Sequence, residues 1–307
     1  MGWTAWAWKT VVVLAAGLMP AQEDAARPGT GHRFACCDHT QGRVFIVSGS
    51  GRIEWDHPAP ACNDLWVLAD GNVLFDTGHG VEEVDHAGKV VFHYESTSEI
   101  YACQRLPDGN TLVGECTAGR LLEVDRAGKV VKEIRLLPPG KTGGHLTMRN
   151  ARRLENGHYL VCHYGEQVVR EYDARGGLVR EIPARGGPHS AIRLPGGNTL
   201  IACGDASLDP AGVFEVDGAG KTVWQVKGND LPGISLKFMA GLHRLSNGNT
   251  VMSNWLGHDH LGQGPHVIEV TPDRRVVWTF ADHRVVKSVA SVQVLDDDHG
   301  PAGAPLH

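Results

Sequence analysis

Residues 106–134 read LPDGNTLVGECTAGRLLEVDRAGKVVKEI, and this stretch contains two different tight turns between apolar runs. The first turn is built on Asp-Gly-Asn and the second on Ala-Gly-Lys. Glycine-containing turns between apolar runs are the strongest short-range signal for a β-hairpin, because glycine readily adopts positive φ. The stretch therefore predicts two hairpins in succession, which together make a unit of four strands.

Both turns recur along the chain and alternate with each other. The first motif is found as LADGNVL at 68–74, LPDGNTL at 106–112, LENGHYL at 154–160, LPGGNTL at 194–200 and LSNGNTV at 245–251. The second is found as VSGSGRIEW at 47–55, VDHAGKVVF at 84–92, VDRAGKVVK at 124–132, YDARGGLVR at 172–180, VDGAGKTVW at 216–224 and VTPDRRVVW at 270–278. Units of four short strands repeated at this spacing predict the blades of a β-propeller.

The second motif occurs six times and the first only five times, which indicates how the ring closes. FACCD at 34–38 resembles the second strand of a unit. SVASVQVLDDDHG at 288–300 resembles a degenerate copy of the first strand and its turn. We therefore predict an all-β, six-bladed propeller over 32–298, with the first blade closed by both chain ends. An open solenoid would instead need capping repeats, and it leaves the missing first strand unexplained.

The composition excludes some classes of function. The chain has 307 residues, of which 42% are hydrophobic, so it can bury a sizeable core. Its net charge of -6 argues against a nucleic-acid partner. Apart from the N-terminal run discussed next, no segment is apolar enough to span a membrane. We expect a monomer that binds a small molecule or a glycan.

The N-terminal segment has the pattern of a secretory signal. Lys9 precedes an apolar run from Val11 to Met19, and small residues follow around Ala21. The apolar run is too short to span a bilayer. We predict a signal peptide over 1–21 and an exported protein; the alternative is a misassigned start codon.

The chain contains seven cysteines, an odd number that leaves at least one unpaired. They show neither a Cys-x-x-Cys pair nor zinc-ribbon spacing, so a structural zinc site is not expected. The neighbours Cys36 and Cys37 are interpreted as two small buried residues in a strand. The sequence leaves the disulfide pairing open.

The length of the connections varies on one face of the predicted ring only. From the motif asparagine to the valine that ends the third strand takes 14 residues in the third blade, Asn110 to Val124. The same interval takes 21 residues in the sixth blade, Asn249 to Val270, so NWLGHDHLGQGPH at 254–266 contains an insertion. Long connections on a rigid scaffold often carry function. We therefore place the site at the channel opening on this face.

Two registers carry polar residues that differ from blade to blade, where the remaining strand positions repeat Leu, Val and Ile. The register at the end of the second strand contains Asp38, Thr77, Glu115, His163, Cys203 and Asn254. The register at the start of the first strand contains Asn63, Tyr101, Arg149, His189, Ala240 and Ala290. Strand ends at a wet face are often polar without function, but the two sets together predict a concave site with convergent polar groups.

Residue chemistry assigns candidate roles within these sets. Histidine suits a general base or nucleophile at neutral pH, arginine suits a carboxylate or sulfate, and tyrosine suits an acid. The catalytic candidates are His189, His163, Arg149 and Tyr101. The ligand-binding candidates are Asn63, Thr77, Glu115, Asn254, Trp255, His145 and Tyr164. The metal candidates are His258 and His260, whose spacing is weak evidence for a divalent ion.

HSAIRLPGGNTLIA at 189–202 resembles the first hairpin of arylsulfotransferase-like propellers, including its leading histidine. LPDGNTLVGE and VDGAGKTVW are similar to the same quinoprotein-like group of six-bladed propellers. The resemblance implies that His189 accepts a sulfuryl group and that Arg149 stabilises its oxygens. The other blades lack histidine at this register. The tryptophan-rich repeat of quinoprotein dehydrogenases is also absent, so a quinone is not expected.

Three hypotheses follow for function. The first is an exported, histidine-based lyase, hydrolase or group-transfer enzyme acting on a polar or anionic small molecule or glycan. The second is a non-catalytic binding or scaffolding propeller, in which substitutions change affinity alone. The third is a propeller that holds a cofactor: the sequence leaves the cofactor unknown and a divalent metal open.

Overall fold

The computed structural model describes residues 1, 31–204, 211–297 and 307, and every regular element in these residues is a β-strand. The predicted signal peptide falls almost entirely outside the described residues, so it stays a prediction. Six four-stranded antiparallel sheets form the six blades of a propeller, as predicted. The blades run from Phe34 to Val294.

The first three blades follow one another along the chain. Blade 1 contains β1 (Phe34–Asp38), β2 (Arg43–Val47) and β3 (Ile53–Pro58). Blade 2 contains β4 (Leu65–Val67), β5 (Val73–Asp76), β6 (Gly80–Val84) and β7 (Val90–Glu95). Blade 3 contains β8 (Ile100–Arg105), β9 (Thr111–Glu115), β10 (Arg120–Val124) and β11 (Val130–Arg135).

The second half of the ring repeats the pattern. Blade 4 contains β12 (Ala151–Arg153), β13 (Tyr159–His163), β14 (Val168–Tyr172) and β15 (Leu178–Pro183). Blade 5 contains β16 (Pro188–Arg193), β17 (Thr199–Cys203), β18 (Gly212–Val216) and β19 (Thr222–Lys227). Blade 6 contains β20 (Met239–Arg244), β21 (Thr250–Asn254), β22 (Val267–Val270) and β23 (Val276–Phe280). The last strand, β24 (Val289–Val294), returns to blade 1.

The first strand of each blade contacts the first strands of its neighbours, so these six strands surround the central channel. The turns that join the first strand to the second, and the third to the fourth, lie on one end of the ring, which we call the turn face. The remaining connections lie on the opposite end, which we call the mouth face. Apolar side chains of adjacent sheets fill the spaces between blades in six buried clusters.

The turns on the turn face are nearly identical. In the third blade, Leu106 N–H donates to Asn110 O at 2.8 Å, and Gly109 has φ of 87°. Only glycine adopts that φ without strain. In the second turn of the same blade, the Asp125 carboxylate accepts from the N–H groups of Ala127 and Lys129, both at 2.9 Å. These local bonds fix the register of each hairpin.

Both chain ends close blade 1, as predicted. Strand β24 pairs antiparallel with β1, and Phe34 lies opposite Val294. Leu295 N–H donates to Arg33 O at 2.8 Å, which is the hydrogen bond that the motif leucines make elsewhere. The closure therefore reproduces the geometry of an ordinary first turn without a continuous chain.

Ion pairs join neighbouring blades on the turn face. Each pair links a glutamate of a third strand to the arginine that ends the first strand of the next blade. The pairs are Glu83–Arg105, Glu123–Arg153, Glu171–Arg193 and Glu215–Arg244. These glutamates are buried or nearly so. Arginine donates hydrogen bonds to Glu83, Glu171 and Glu215, and the Tyr159 hydroxyl donates to Glu123, so their desolvated oxygens are satisfied.

Two seams between blades depart from this pattern. The first is the seam between blades 6 and 1, which we call the closing seam. There His32 Nε2 lies 3.1 Å from Glu269 Oε2, and His32 Nδ1 lies 2.9 Å from Asp296 Oδ1. The hydrogen bond to Glu269 outweighs partial burial and raises the pKa of His32 to about 9. Between blades 1 and 2, the apolar residues Ile46 and Val67 pack together instead.

No helix in the described part of the chain is long and apolar enough to cross a membrane.

Candidate functional site

Three residues of the first-strand register meet at the channel opening on the mouth face, which we call the mouth. Tyr101 lies in β8, Arg149 lies two residues before β12, and His189 lies in β16. All three are at least nine-tenths buried. Their positions follow from the repeat, because each blade presents the same register of its first strand to the channel.

Arg149 is held between two tyrosine rings. Its guanidinium carbon lies 4.3 Å from the ring centre of Tyr101 and 4.6 Å from that of Tyr164. One terminal nitrogen donates to the carbonyl oxygens of His145 and Met148, and the other lies 3.1 Å from His145 Nε2. A guanidinium has five N–H donors. Among the described residues these contacts use three of them, so two remain for a ligand.

His145 connects Arg149 to a carboxylate. Its Nδ1 lies 2.9 Å from Glu99 Oε1 and 3.1 Å from the Tyr101 hydroxyl oxygen. The contact with the carboxylate places the proton on Nδ1, so the Nε2 lone pair faces Arg149. Burial raises the pKa of Tyr101 far above its usual range, which keeps its hydroxyl protonated. His145 is about half exposed, so its ring is open to solvent and to a ligand.

His189 is a neutral histidine beside this cation. Burial and the charge of Arg149 lower the pKa of His189 to about 3, although a hydrogen bond to the backbone of Ala240 opposes the shift. Its ring lies 5.6 Å from the ring of Phe238, edge to face. A neutral imidazole in this position can accept a proton or attack an electrophile.

Aromatic rings continue from Tyr164 around the mouth. Phe238 is stacked on Tyr164 at 6.3 Å, and Trp255 meets Phe238 edge to face at 5.2 Å. His258 follows at 4.7 Å from Trp255. A β-carbon on Gly204 would come within 2.4 Å of the Phe238 ring, so only glycine leaves room for this ring. The rings of Tyr164, Phe238, Trp255 and His258 form an arc around the mouth. This arc depends on the absence of a side chain at Gly204.

The sequence did not point to two residues of the mouth, His39 and Phe238. His39 lies in the connection after β1, and its ring is 6.3 Å from the ring of Trp255. It interacts electrostatically with both His145 and His189. Phe238 ends the long segment before β20. Neither residue follows a motif turn at a fixed interval, so counting from the repeat could not find them.

A buried ion pair lies in the channel. Arg152 of β12 donates from both terminal nitrogens to the Asp64 carboxylate of blade 2, at 2.6 and 2.8 Å. Cys103 N–H also donates to this carboxylate, at 3.0 Å. The ring of Trp66 lies 5.0 Å from the Arg152 guanidinium, and the ring of His307 lies 3.9 Å from Trp66. These contacts join blades 2, 3 and 4 at the channel.

The second predicted register has a structural role in several blades. The Asn254 side-chain oxygen accepts from the backbone N–H groups of Lys237 and Phe238, at 2.7 and 3.4 Å. Asp38 accepts in the same way from Lys287 and Ser288. These side chains therefore hold the segment that leads into the first strand of their own blade, and Asn254 positions Phe238.

In blade 2 the corresponding residue is Asp76 and not Thr77. The Asp76 carboxylate accepts from the N–H groups of Asn63 and Asp64, both at 2.7 Å. Strand β5 has four residues where the other second strands have five, so counting from the turn overshoots by one. Thr77 lies in the following turn, where its N–H donates to Gly80 O. Asn63 is half-buried, and its side-chain amide donates to Ala61 O at 2.8 Å.

Two other predicted residues are bound away from the mouth. Glu115 accepts from the hydroxyls of Tyr94 and Ser96 and forms an ion pair with Arg120. His163 is fully buried, with Nε2 2.8 Å from the Tyr172 hydroxyl. Burial lowers the pKa of His163 to about 4. The structure therefore brings neither residue into contact with Arg149 or His189.

The described residues contain no group of three or more His, Cys, Asp or Glu side chains that could hold a metal ion. His258 contacts the Trp255 ring, while His260 Nδ1 is buried without a partner among the described residues. His258 and His260 therefore lack a third protein ligand there.

The seven cysteines are buried, and none of them forms a disulfide bond within the described part of the chain. Cys36 and Cys37 lie on opposite faces of β1 and belong to different apolar clusters. They are two small residues of a strand, as interpreted from the sequence.

Comparison with solved structures gives a fold-level match. A protein of unknown function from Bacteroides caccae matches with a TM-score of 0.77 and 26% identity, over 87% of this chain and all of that chain. Streptogramin B lyase matches with a TM-score of 0.57 and 13% identity, over 83% of this chain and 84% of that one. Virginiamycin B lyase from Staphylococcus aureus matches with a TM-score of 0.55 and 13% identity, over 81% and 83%.

At 13% identity, the likeness to the two lyases shows the fold alone. No protein-family model matches the sequence, and no curated protein matches it.

Proposed function

We propose that the protein is an exported enzyme that binds an anionic small molecule or glycan at the mouth. In this proposal, histidine-based chemistry then acts on the ligand. The observation that carries the proposal is the position of Arg149, which lies between two tyrosine rings with His145 and the neutral His189 nearby. Such a set provides a fixed cation, a base and an acid around one opening.

Arg149 is suited to hold the anion. Its guanidinium is planar and always charged, so the two N–H groups left by its contacts can donate to two oxygens of a carboxylate or sulfate. Tyr101 and Tyr164 hold the guanidinium in one plane, which reduces the entropy lost when a ligand binds. Trp255, which is only partly buried, offers an aromatic ring on which a sugar or aryl ring can stack.

The proton-transfer groups surround this cation. With its Nδ1 proton donated to Glu99, His145 presents the Nε2 lone pair to Arg149, and an anion on Arg149 would compete with this lone pair for the guanidinium. Tyr101 can donate a proton to a leaving group because it stays protonated at neutral pH. By the resemblance to arylsulfotransferase-like propellers, His189 would be the group that accepts a sulfuryl group. The two lyases are enzymes with this fold, so the fold is compatible with catalysis.

The experiment is a turnover screen of the mature protein on acidic polysaccharides, neutral polysaccharides and aryl sulfates. The variants are Arg149→Gln, His145→Gln and His189→Ala. His93→Ala and Arg135→Ala are the matched controls, since both residues are exposed on outer strands. We expect the three mouth variants to lose at least about tenfold in kcat/KM, with melting temperatures close to wild type.

A wild-type protein that binds but turns over nothing would support the alternative, a non-catalytic binding propeller. In that case the mouth variants change Kd alone. Inhibition by EDTA would indicate a metal, for which the described residues offer no set of three ligands.

Export is tested separately. Intact mass measured on protein from fractionated cells should show a chain that starts near residue 22, found outside the cytoplasm. A full-length chain in the cytoplasm would contradict export without affecting the mouth. Size-exclusion chromatography with light scattering tests the expected monomer.

A further inference from the structure

His39 extends the mouth to blade 1. Its ring contacts Trp255, which contacts Phe238, which in turn contacts His189. Tyr164, stacked on Phe238, connects the same arc to Arg149. Histidines from blade 1, blade 5 and the segment after blade 3 therefore surround one opening with a fixed cation from blade 4.

The charged groups near His39 and His189 leave an excess of positive charge. His39 faces Asp38 and His145, while His189 faces Arg149 and His39. The Asp38 carboxylate already accepts several hydrogen bonds. Glu99 is engaged by His145. The remaining neighbours of His39 and His189 are cationic or can become so.

We propose that the mouth is built for a doubly charged anion and that His39 or His189 takes up a proton when this anion binds. The inference rests on the proposed function, since it uses Arg149 as the anchor of the ligand. The two negative charges need more positive charge than Arg149 provides. The neighbouring histidines are the groups that can supply it.

The direction of the linkage follows from the free protein. Burial is the main cause that lowers the pKa of both histidines, and His145 and Arg149 lower them further. An anion between them opposes this repulsion and raises both pKa values toward the ordinary 6.5. Protons are therefore taken up on binding, and affinity rises as pH falls. For each proton taken up, the limit is about tenfold in Kd per pH unit.

Inorganic sulfate is the probe, because it stays doubly charged across pH 5.5–8 and any proton uptake must come from the protein. Titration calorimetry at one pH in two buffers of different ionisation enthalpy measures the number of protons taken up. Repeating the titration from pH 8 to pH 6 measures the slope of Kd. Acetate provides the singly charged comparison. The variants are Arg149→Gln, His39→Gln and His189→Gln, with His93→Gln as the matched control.

We expect sulfate to bind with net proton uptake, and acetate to bind at least about tenfold more weakly. His39→Gln or His189→Gln should remove most of the uptake, while His93→Gln should leave it unchanged. Thermal melting of each variant checks that it is folded.

Several results would overturn the inference while leaving the anion site standing. Sulfate could bind in an Arg149-dependent way with no proton uptake, or with uptake that neither histidine variant changes. Turnover of a carboxylate substrate without any sulfate binding would also exclude the doubly charged ligand. If no anion binds at all, both this inference and the proposed function fail.

Discussion

On the turn face, the connections within the six blades are five residues long, and each repeats the same backbone hydrogen bonds. On the mouth face, the connections range from three residues at 77–79 to fifteen at 136–150. The turn face also repeats one ion pair at four seams. At the mouth, by contrast, the polar residues differ from blade to blade: His39 in blade 1, Tyr101 in blade 3, Arg149 in blade 4 and His189 in blade 5.

This difference separates the two demands on the sequence. A ring of six blades needs the same hairpin geometry and the same spacing at every seam, so its residues repeat. A ligand has no sixfold symmetry, so the residues that would contact it differ. Residues that depart from the repeat therefore identify the candidate site, once the side chains that contact each of them are known.

Breaking the Asp64–Arg152 ion pair in the channel should give the largest effect on stability. Asp64→Ala leaves the Arg152 guanidinium buried without its carboxylate. We expect a loss of about 3–5 kcal/mol in the free energy of unfolding, because an unpaired buried charge is strongly unfavourable. Chemical denaturation measures this loss. The double variant Asp64→Leu/Arg152→Met should recover much of it, and a double variant as unstable as the single one would contradict the ion-pair explanation.

The closing seam should respond to pH where the arginine seams do not. The pKa of His32 is raised from 6.5 to about 9, so its stabilising contribution is complete below pH 6.5. It is lost as pH rises through 9. We expect a loss of about 1–2 kcal/mol between pH 6.5 and pH 9.5, reduced from the full shift by partial exposure.

Thermal unfolding across this pH range measures the effect. His32→Gln should flatten the dependence, whereas Arg244→Gln at the preceding seam should lower stability by a similar amount at every pH. A pH dependence unchanged in His32→Gln would assign it to other groups.

A glycine substitution on the turn face should affect stability alone. Gly109 has φ of 87°, and a β-carbon there would meet no atom within 4 Å, so Gly109→Ala introduces backbone strain without a clash. We expect a loss of about 1–2 kcal/mol in unfolding free energy. Ligand affinity should stay within about twofold of wild type. Chemical denaturation and titration of the same sample test both statements.

The matching substitution on the mouth face should affect the ligand more than the fold. In Gly204→Ala the new β-carbon would lie 2.4 Å from the Phe238 ring, at the flexible end of a side chain. The ring must move, and with it the contact to His189. We expect about a tenfold weaker Kd for the anionic ligand and a smaller loss of stability than in Gly109→Ala. Equal affinity in the two variants would mean that Phe238 does not shape the site.

The repeat predicted the blades, their closure and three residues of the mouth. Tyr101, Arg149 and His189 could be located because each lies a fixed number of residues before a motif turn. In blade 2 the same counting gives Thr77, whereas the side chain that caps the first strand is that of Asp76, because β5 ends one residue earlier. A periodic pattern gives position only where every strand keeps its length.

The repeat pattern could not predict which side chains contact one another. Glu115 and His163 share a register with Asn254, but their contacts with Arg120 and Tyr172 are set by neighbouring strands. His39 follows a strand that has no preceding turn to count from. Such contacts depend on which side chains meet across paired strands and between blades, and spacing along one chain does not encode this.

Closure by β24 also imposes an order in time. A ribosome makes β1 first and β24 after the strands of all the other blades, so Phe34–Asp38 waits for its partner until the five other blades have been synthesised. During that interval the nascent chain displays an unpaired, apolar strand edge, the kind of surface that chaperones cover and that aggregates recruit. A chain that stops before Val289 keeps this edge permanently, so translation must reach the last strand before the first blade can be finished.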